Sequence, residues 1–133
     1  MTVFYALEPD LSAEEFKEIL VASTLAERRP VEDLGRLDKM LRQANIVVTA
    51  RKNGKLIGVA RAISDFSYCC YLSDLAVDKI CQNQGIGKKL IDQTHLASGL
   101  HTGLFLVSAP AAVHYYPKIG LKPYPCFGIP QKD

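Results

Sequence analysis

Residues 71–107 constrain the fold more than any other stretch. The apolar run Tyr71-Leu72-Ser73-Asp74-Leu75-Ala76-Val77 reads as a strand. Behind it comes Gln82-Asn83-Gln84-Gly85-Ile86-Gly87-Lys88, two glycines around one isoleucine. Ile86, Leu90, Ile91, Thr94 and Ala97 then recur on one side of a helix ending near Gly99. Leu104-Phe105-Leu106-Val107 follows, a wholly apolar strand expected inside the sheet. Strand, helix and strand in this order make a βαβ crossover, so at least part of the sheet is parallel.

The chain ahead of this unit reads differently. A short strand is expected from Thr2 to Leu7. Ser12-Ala13-Glu14-Glu15 has the form of a capping box, in which hydroxyl and carboxylate satisfy opposite amides at a helix start. A helix over 13–23 follows from the spacing of Phe16, Ile19, Leu20 and Ser23, and a second helix is expected to begin at Pro30. Ile46 to Ala50 is short and rich in β-branched residues, a strand. Asn53-Gly54 is a hairpin signal, making Leu56 to Ile63 its antiparallel return, with Tyr68 to Val77 the third strand of the meander. A brief helix over 111–115 and an extended, proline-punctuated tail complete the order β-α-α-β-β-β-α-β-α-β. The expected fold is a single α/β domain over residues 1–133, with a mixed, mostly antiparallel central sheet flanked by helices.

Composition removes several classes of function. A net charge of +2 on 133 residues argues for neither nucleic acid nor an anionic membrane as partner. No apolar run reaches the length of a membrane span. The segment MTVFYALEPD lacks the basic start of a secretion signal, so the expected compartment is the cytosol. Cys69, Cys70, Cys81 and Cys126 have no metal-ligand spacing, and adjacent Cys69 and Cys70 point to opposite faces of a strand, so no metal is expected.

The glycine turn fits neither common phosphate template. A Walker loop would need glycine at Gln82 and a hydroxyl at Lys89, and a dinucleotide fingerprint would need glycine at Leu90. The physical case for an anion stands apart from both. A turn without Cβ atoms at the positive end of a helix leaves several backbone N–H groups free to approach a pyrophosphate. A tight turn with no ligand is the competing reading of the same residues.

Two motifs together carry a resemblance. Gln82-Asn83-Gln84-Gly85-Ile86-Gly87 is similar to the [QR]-x-x-G-x-[GA] loop of the GNAT superfamily of acyl-CoA-dependent N-acetyltransferases. Tyr115-Tyr116-Pro117-Lys118-Ile119-Gly120-Leu121 resembles that family's second signature, [FY]-Y-x-x-x-G-[FL]. The resemblance is close over about 50 residues, and the element order extends it along the chain. It implies that acetyl-CoA is the co-substrate and a small-molecule or peptide amine the acceptor. It implies further that Gln82, Asn83, Gln84, Gly85, Ile86, Gly87 and Lys88 bind the pyrophosphate, and that Leu75, Ala76 and Val77 pair with the pantetheine arm. Tyr116 takes the role of general acid toward the leaving thiolate. Asp74, on the central strand, is either a base, a structural hydrogen-bond acceptor, or neighbour to a water relay ordered by Tyr71 or Ser73. Family members often form homodimers, though no residue here identifies an interface.

Substrate selection is expected from residues 24–33, from the turn Asp65-Phe66-Ser67-Tyr68 and from Tyr71 and Ser73 beyond it; Glu27, Glu32, Asp33 and Asp65 would attract an amine and Phe66 and Tyr68 would wall it. Solvated loops are the alternative, and Arg28 and Arg29 oppose a polyamine. The chain departs from the family pattern at two places. Pro117 follows Tyr116 where a charged residue is more usual. Ala109 replaces an asparagine that contacts the cofactor, leaving Ser108 as a substitute. These departures favour a rival reading as a non-catalytic acyl-CoA-binding module; a protein N-terminal or lysine acetyltransferase differs only in its acceptor.

Overall fold

The computed structural model describes residues 2–132. Five strands form one sheet in sequence order: β1 (Phe4–Leu7), β2 (Ile46–Lys52), β3 (Lys55–Ser64), β4 (Cys69–Val77) and β5 (Gly103–Phe105). Neighbours are antiparallel except β4 and β5, which run parallel across the crossover helix α3 (Ile86–Ser98). Helices α1 (Ala13–Ala22) and α2 (Leu34–Gln43) cover the opposite face.

The two faces have separate cores. Phe16, Leu20, Leu37 and Leu41 pack with Val47, Val59 and Ala76 beneath α1 and α2. Leu90 and Ile91 pack with Val48, Ala60 and Leu72 beneath α3. Ile46 to Ala50 is buried on both sides, which is why a β-branched run without polar alternation occupies this position.

Several boundaries depart from the sequence expectation for identifiable reasons. Only half of the capping box forms. Ser12 Oγ accepts from the Glu15 N–H at 3.1 Å, but the Glu15 carboxylate turns to Arg51, at 2.8 and 3.0 Å. Arg51 also holds Glu8, keeping its carboxyl below the usual range, and two bonds from a guanidinium outweigh one bond from a backbone N–H for the Glu15 carboxylate. Pro30 does not open α2. It lies in a preceding turn, and Asp33 caps the helix by accepting from the Arg36 N–H at 3.0 Å.

The late elements differ more. β5 is three residues long and partly exposed, at the edge of the sheet rather than inside it. The expected helix over 111–115 divides into a 3-10 turn, Pro110–Ala112, and a single helical turn, α4 (Tyr115–Lys118). No final strand forms among the described residues after α4. Pro123, Pro125 and Pro130 lack the N–H groups that a ladder requires. Tyr124 instead packs edge-on against Phe105 with ring centroids 5.8 Å apart, and Gln131 accepts from Arg36 at 3.3 Å.

Phe16 is fully buried where α1 meets α2 and the sheet. Phe16→Ala is expected to lower the unfolding free energy by about 3–5 kcal/mol, read from the urea midpoint at unchanged slope.

Candidate active site

β4 and β5 pair only through Cys69–Tyr71 and Gly103–Phe105, then part. From Leu72 to Val77 the outer edge of β4 has no strand partner among the described residues. A cleft of about 490 Å³ occupies the gap. Its walls are Leu72, Ser73, Leu75, Ala76 and Val77 of β4, Leu106 to Ala112 beyond β5 (except Ser108), and Ser23 to Arg29 (except Ala26) from the segment after α1, with Tyr116 and Gln82.

The parting coincides with a bulge. The β3–β4 register pairs Arg61 with Asp74 but Ala62 with Leu72, which leaves Ser73 as the extra residue. Simple alternation would place Leu72, Asp74 and Ala76 on one face. The bulge breaks it: Leu72 packs under α3, whereas Ala76 packs under α1 and α2. Asp74 therefore turns inward, with none of its side chain exposed, and both its oxygens are occupied. Arg29 Nε donates to Oδ1 and Arg61 Nε to Oδ2. The same two guanidiniums hold the bulge residue itself, Arg29 through the Ser73 carbonyl at 2.8 Å and Arg61 through Ser73 Oγ at 2.9 Å. Arg61 also reaches the Met40 carbonyl of α2 at 3.2 Å. Of the three roles open to Asp74 in the sequence, this geometry is that of a structural acceptor.

Beyond Val77 the chain makes a 3-10 turn, Lys79–Cys81, and enters the glycine loop. Asn83 (φ 65°) and Gly85 (φ 81°) are both left-handed, and Gly85 sits directly ahead of α3. Gly85 has open space where a Cβ would stand, so its backbone angle is what requires glycine. Gly87 answers a different need, because a Cβ there would lie 3.1 Å from the Tyr115 hydroxyl. Among the described residues no hydrogen-bond acceptor is found for the backbone N–H groups of 83–88. They stand at the positive end of a helix of 13 residues, and a row of free amides there fits the chemistry of a pyrophosphate.

Gln82 is arranged otherwise. Its N–H points to the Lys79 carbonyl and its side-chain amide donates to the Val77 carbonyl at 3.0 Å, bracing the loop against the strand end. Lys88 pairs with Asp92 at 2.9 Å, so its backbone rather than its ammonium faces the loop.

Tyr116 borders the cleft from α4, half-buried, with its ring edge-on to Tyr115 at 5.2 Å. Burial pushes its phenol above the ordinary value, with a smaller contribution from Tyr115. Pro117 sits inside this single helical turn, where no N–H is required, and Gly120 (φ 100°) closes it. Ser108 turns its hydroxyl to the neighbouring Ala109 carbonyl at 2.7 Å.

The turn predicted to select substrate lies elsewhere. Asp65, Phe66, Tyr68 and Tyr71 do not line the cleft, while Ser73 does. Asp65 Oδ1 accepts from the N–H groups of Ser67, Tyr68 and Cys69 at 2.7 to 3.0 Å, and these bonds hold its carboxyl at about 2. The turn is tied to the start of β5 by the Gly103 N–H, which donates to Tyr68 O at 2.8 Å. No cysteine lines the cleft either. Among the described residues no group of three or more potential metal ligands is assembled, and no helix is long and apolar enough to cross a membrane.

This splayed strand pair, with a donor loop at one end and a tyrosine at its side, can be compared with known proteins. The family model of the acetyltransferase (GNAT) domain matches residues 8–124. The chain belongs to the GNAT acetyltransferase family. Its fold is that of solved GNAT proteins. A GNAT-family acetyltransferase from Streptococcus pneumoniae superposes with a TM-score of 0.78 at 18% identity, over 99% of this chain and 98% of that one. An acetyltransferase of Trypanosoma brucei gives 0.72 at 18%, covering 98% and 100%. An aminoglycoside acetyltransferase from an uncultured soil metagenomic sample, solved with sisomicin, gives 0.69 at 23%, covering 98% and 96%. Among curated proteins, none matches the chain in sequence. Membership of the family supports acyl transfer as the activity.

Sequence reasoning singled out the carboxylate on β4 but had no signal for its two arginine partners. Arg29 and Arg61 are 32 positions apart in the chain and meet only through the fold. Asp74→Ala would leave two guanidiniums facing an empty site and is expected to cost about 3–5 kcal/mol in urea unfolding. Lys88→Ala, which removes an exposed pair, is expected to cost no more than about 0.5 kcal/mol.

A second expectation concerns the Asp65 turn. Its carboxyl is depressed to about 2, below the unfolded value of about 3.9, so its contribution is present above the unfolded value and is lost as pH falls through 2. Amide-exchange protection of Ser67, Tyr68 and Cys69 should fall over that interval, and Asp65→Ala should lack the protection at every pH.

Proposed function

We propose that this GNAT protein transfers the acetyl group of acetyl-CoA to a primary amine by direct attack on the thioester. The observation that supports this most is the coincidence of the free β4 edge with the row of unsatisfied N–H groups at 83–88. A pantetheine arm is an extended chain of amides and can add to such an edge as a peptide strand does. The loop amides would meet the pyrophosphate at its far end.

In this reading each side chain has a separate task. The Tyr116 phenol borders the cleft and, held protonated by burial, gives its proton to the departing thiolate. Asp74 takes no proton, because Arg29 and Arg61 already engage both oxygens. Among the described residues Glu27 is the one carboxylate that lines the cleft, and it removes the acceptor proton directly or through water. Ser73 fixes the bulge rather than ordering a relay, since its hydroxyl and carbonyl serve the two arginines. No covalent acyl-enzyme is required.

Thiol release with acetyl-CoA and a broad amine panel tests the reading. Tyr116→Phe and Glu27→Gln are each expected to lower kcat by about 100-fold or more while coenzyme A affinity stays unchanged. A fully active Tyr116→Phe would assign that residue to packing. Acetyl-CoA binding without thiol release for any amine would favour a non-catalytic binding module. Coenzyme A is also expected to raise the melting temperature, and Gly85→Glu to abolish that rise by setting a carboxylate in the donor loop.

A further inference from the structure

The segment between α1 and α2 forms the side of the cleft that faces away from the strands, and its charges are unusual for a site that accepts a cationic amine. After Ser23 the backbone enters the left-handed region at Thr24 (φ 73°), a conformation that a β-branched residue adopts only under constraint. The 3-10 turn Leu25–Arg28 follows, and Arg29 locks its end to Asp74 and to the Ser73 carbonyl. A strained entry and a buried anchor thus hold two consecutive charged residues, Glu27 and Arg28, in the cleft wall. Neither makes an ion pair among the described residues, and both are exposed. In a 3-10 turn consecutive side chains leave the axis about 120° apart, so the two present separate contacts of opposite sign.

The neighbouring charges are already paired. Arg29 and Arg61 both hold the buried Asp74, which leaves Glu27 and Arg28 as the unpaired charges of the cleft wall among the described residues. A polycation meets a single free carboxylate there and a free guanidinium beside it. A molecule with an amine and a carboxylate a few bonds apart meets one partner for each group, and a guanidinium engages a carboxylate through two parallel N–H bonds.

Resting on the acetyl-transfer reading, we infer that the acceptor is a small amino carboxylate, its amine beside Glu27 and its carboxylate held by Arg28. The reaction remains balanced: the ammonium first gives one proton through Glu27 to solvent, the neutral nitrogen then forms the amide bond as the C–S bond breaks, and the second proton lost by the nitrogen is matched by the one that the thiolate gains. Arg28 acts on affinity and selection rather than on the chemical step.

The test compares free amino acids with their methyl esters, with spermidine, and with peptides whose second residue is acidic. Thiol release gives kcat/KM, and calorimetry on the coenzyme A-saturated protein gives acceptor affinity without turnover. Free amino acids are expected to exceed their esters by about tenfold or more in both readings. Arg28→Ala should remove that preference through KM with kcat nearly retained, and Arg28→Glu should reverse it toward esters and spermidine. Equal use of acid and ester, a preference for spermidine or for acidic-second-residue peptides, or an unchanged preference in Arg28→Glu would each overturn the inference while acetyl transfer stands. Coenzyme A binding with no thiol release from any amine would instead overturn the catalytic reading, and the calorimetric comparison would still decide the acceptor class.

Discussion

The structure depends on one buried carboxylate held between two guanidiniums. Asp74 lies at the bulge of β4, with Arg61 reaching it from β3 and Arg29 from the segment after α1. A lone carboxylate at this depth would carry a large desolvation penalty, and each oxygen offsets it through a charged donor. Such a pair adds little net stability compared with an apolar replacement, but it has a strict geometric requirement. Arg29, Arg61 and the Ser73 backbone satisfy it only when the bulge is formed and the 3-10 segment lies against the strand. One set of hydrogen bonds therefore holds both the bulge of β4 and the 3-10 segment that lines the cleft.

The donor loop is built by a comparable division of roles. Its two glycines look equivalent in the sequence, but Gly85 supplies a backbone angle and Gly87 supplies room for the Tyr115 hydroxyl. The second contact joins the loop to the tyrosine pair. Tyr115 packs toward the loop while its neighbour Tyr116 borders the cleft. Gln82, whose side chain holds the Val77 carbonyl, ties the same loop to the end of β4. Loop, strand end and α4 are thus one packed unit, and the N–H groups of 83–88 keep their orientation without a partner of their own.

Much of this was legible in the chain, and the parts that were share a physical basis. Period and turn chemistry are local, so the hairpin at Asn53-Gly54, the face of α1 and the crossover from β4 through α3 could be read directly. The two signatures were legible because their glycines answer requirements that few other residues meet, a left-handed backbone at Gly85 and Gly120 and room beside Tyr115 at Gly87. The capping box formed only in part because a distant residue competed for a local group, as Arg51 does for Glu15, although the helix begins at Ala13 as expected. The last strand of the expected order is absent among the described residues because Pro123, Pro125 and Pro130 lack the N–H groups that a ladder requires. For Asp65 the sequence left open both an amine-attracting charge and a solvated loop, and the structure has its carboxylate accepting from three amides of its own turn.

The sequence by itself therefore determined the order of elements as far as β5, the crossover and the glycine turn ahead of α3, since period, φ preference and helix polarity are properties of neighbouring residues. Only the tertiary structure decided which groups Asp74 holds and which charges border the cleft. A one-residue bulge reverses the face to which every later side chain of β4 points. Whether Asp74 met solvent or two arginines thus rested on register and on long-range pairing, which no local pattern encodes.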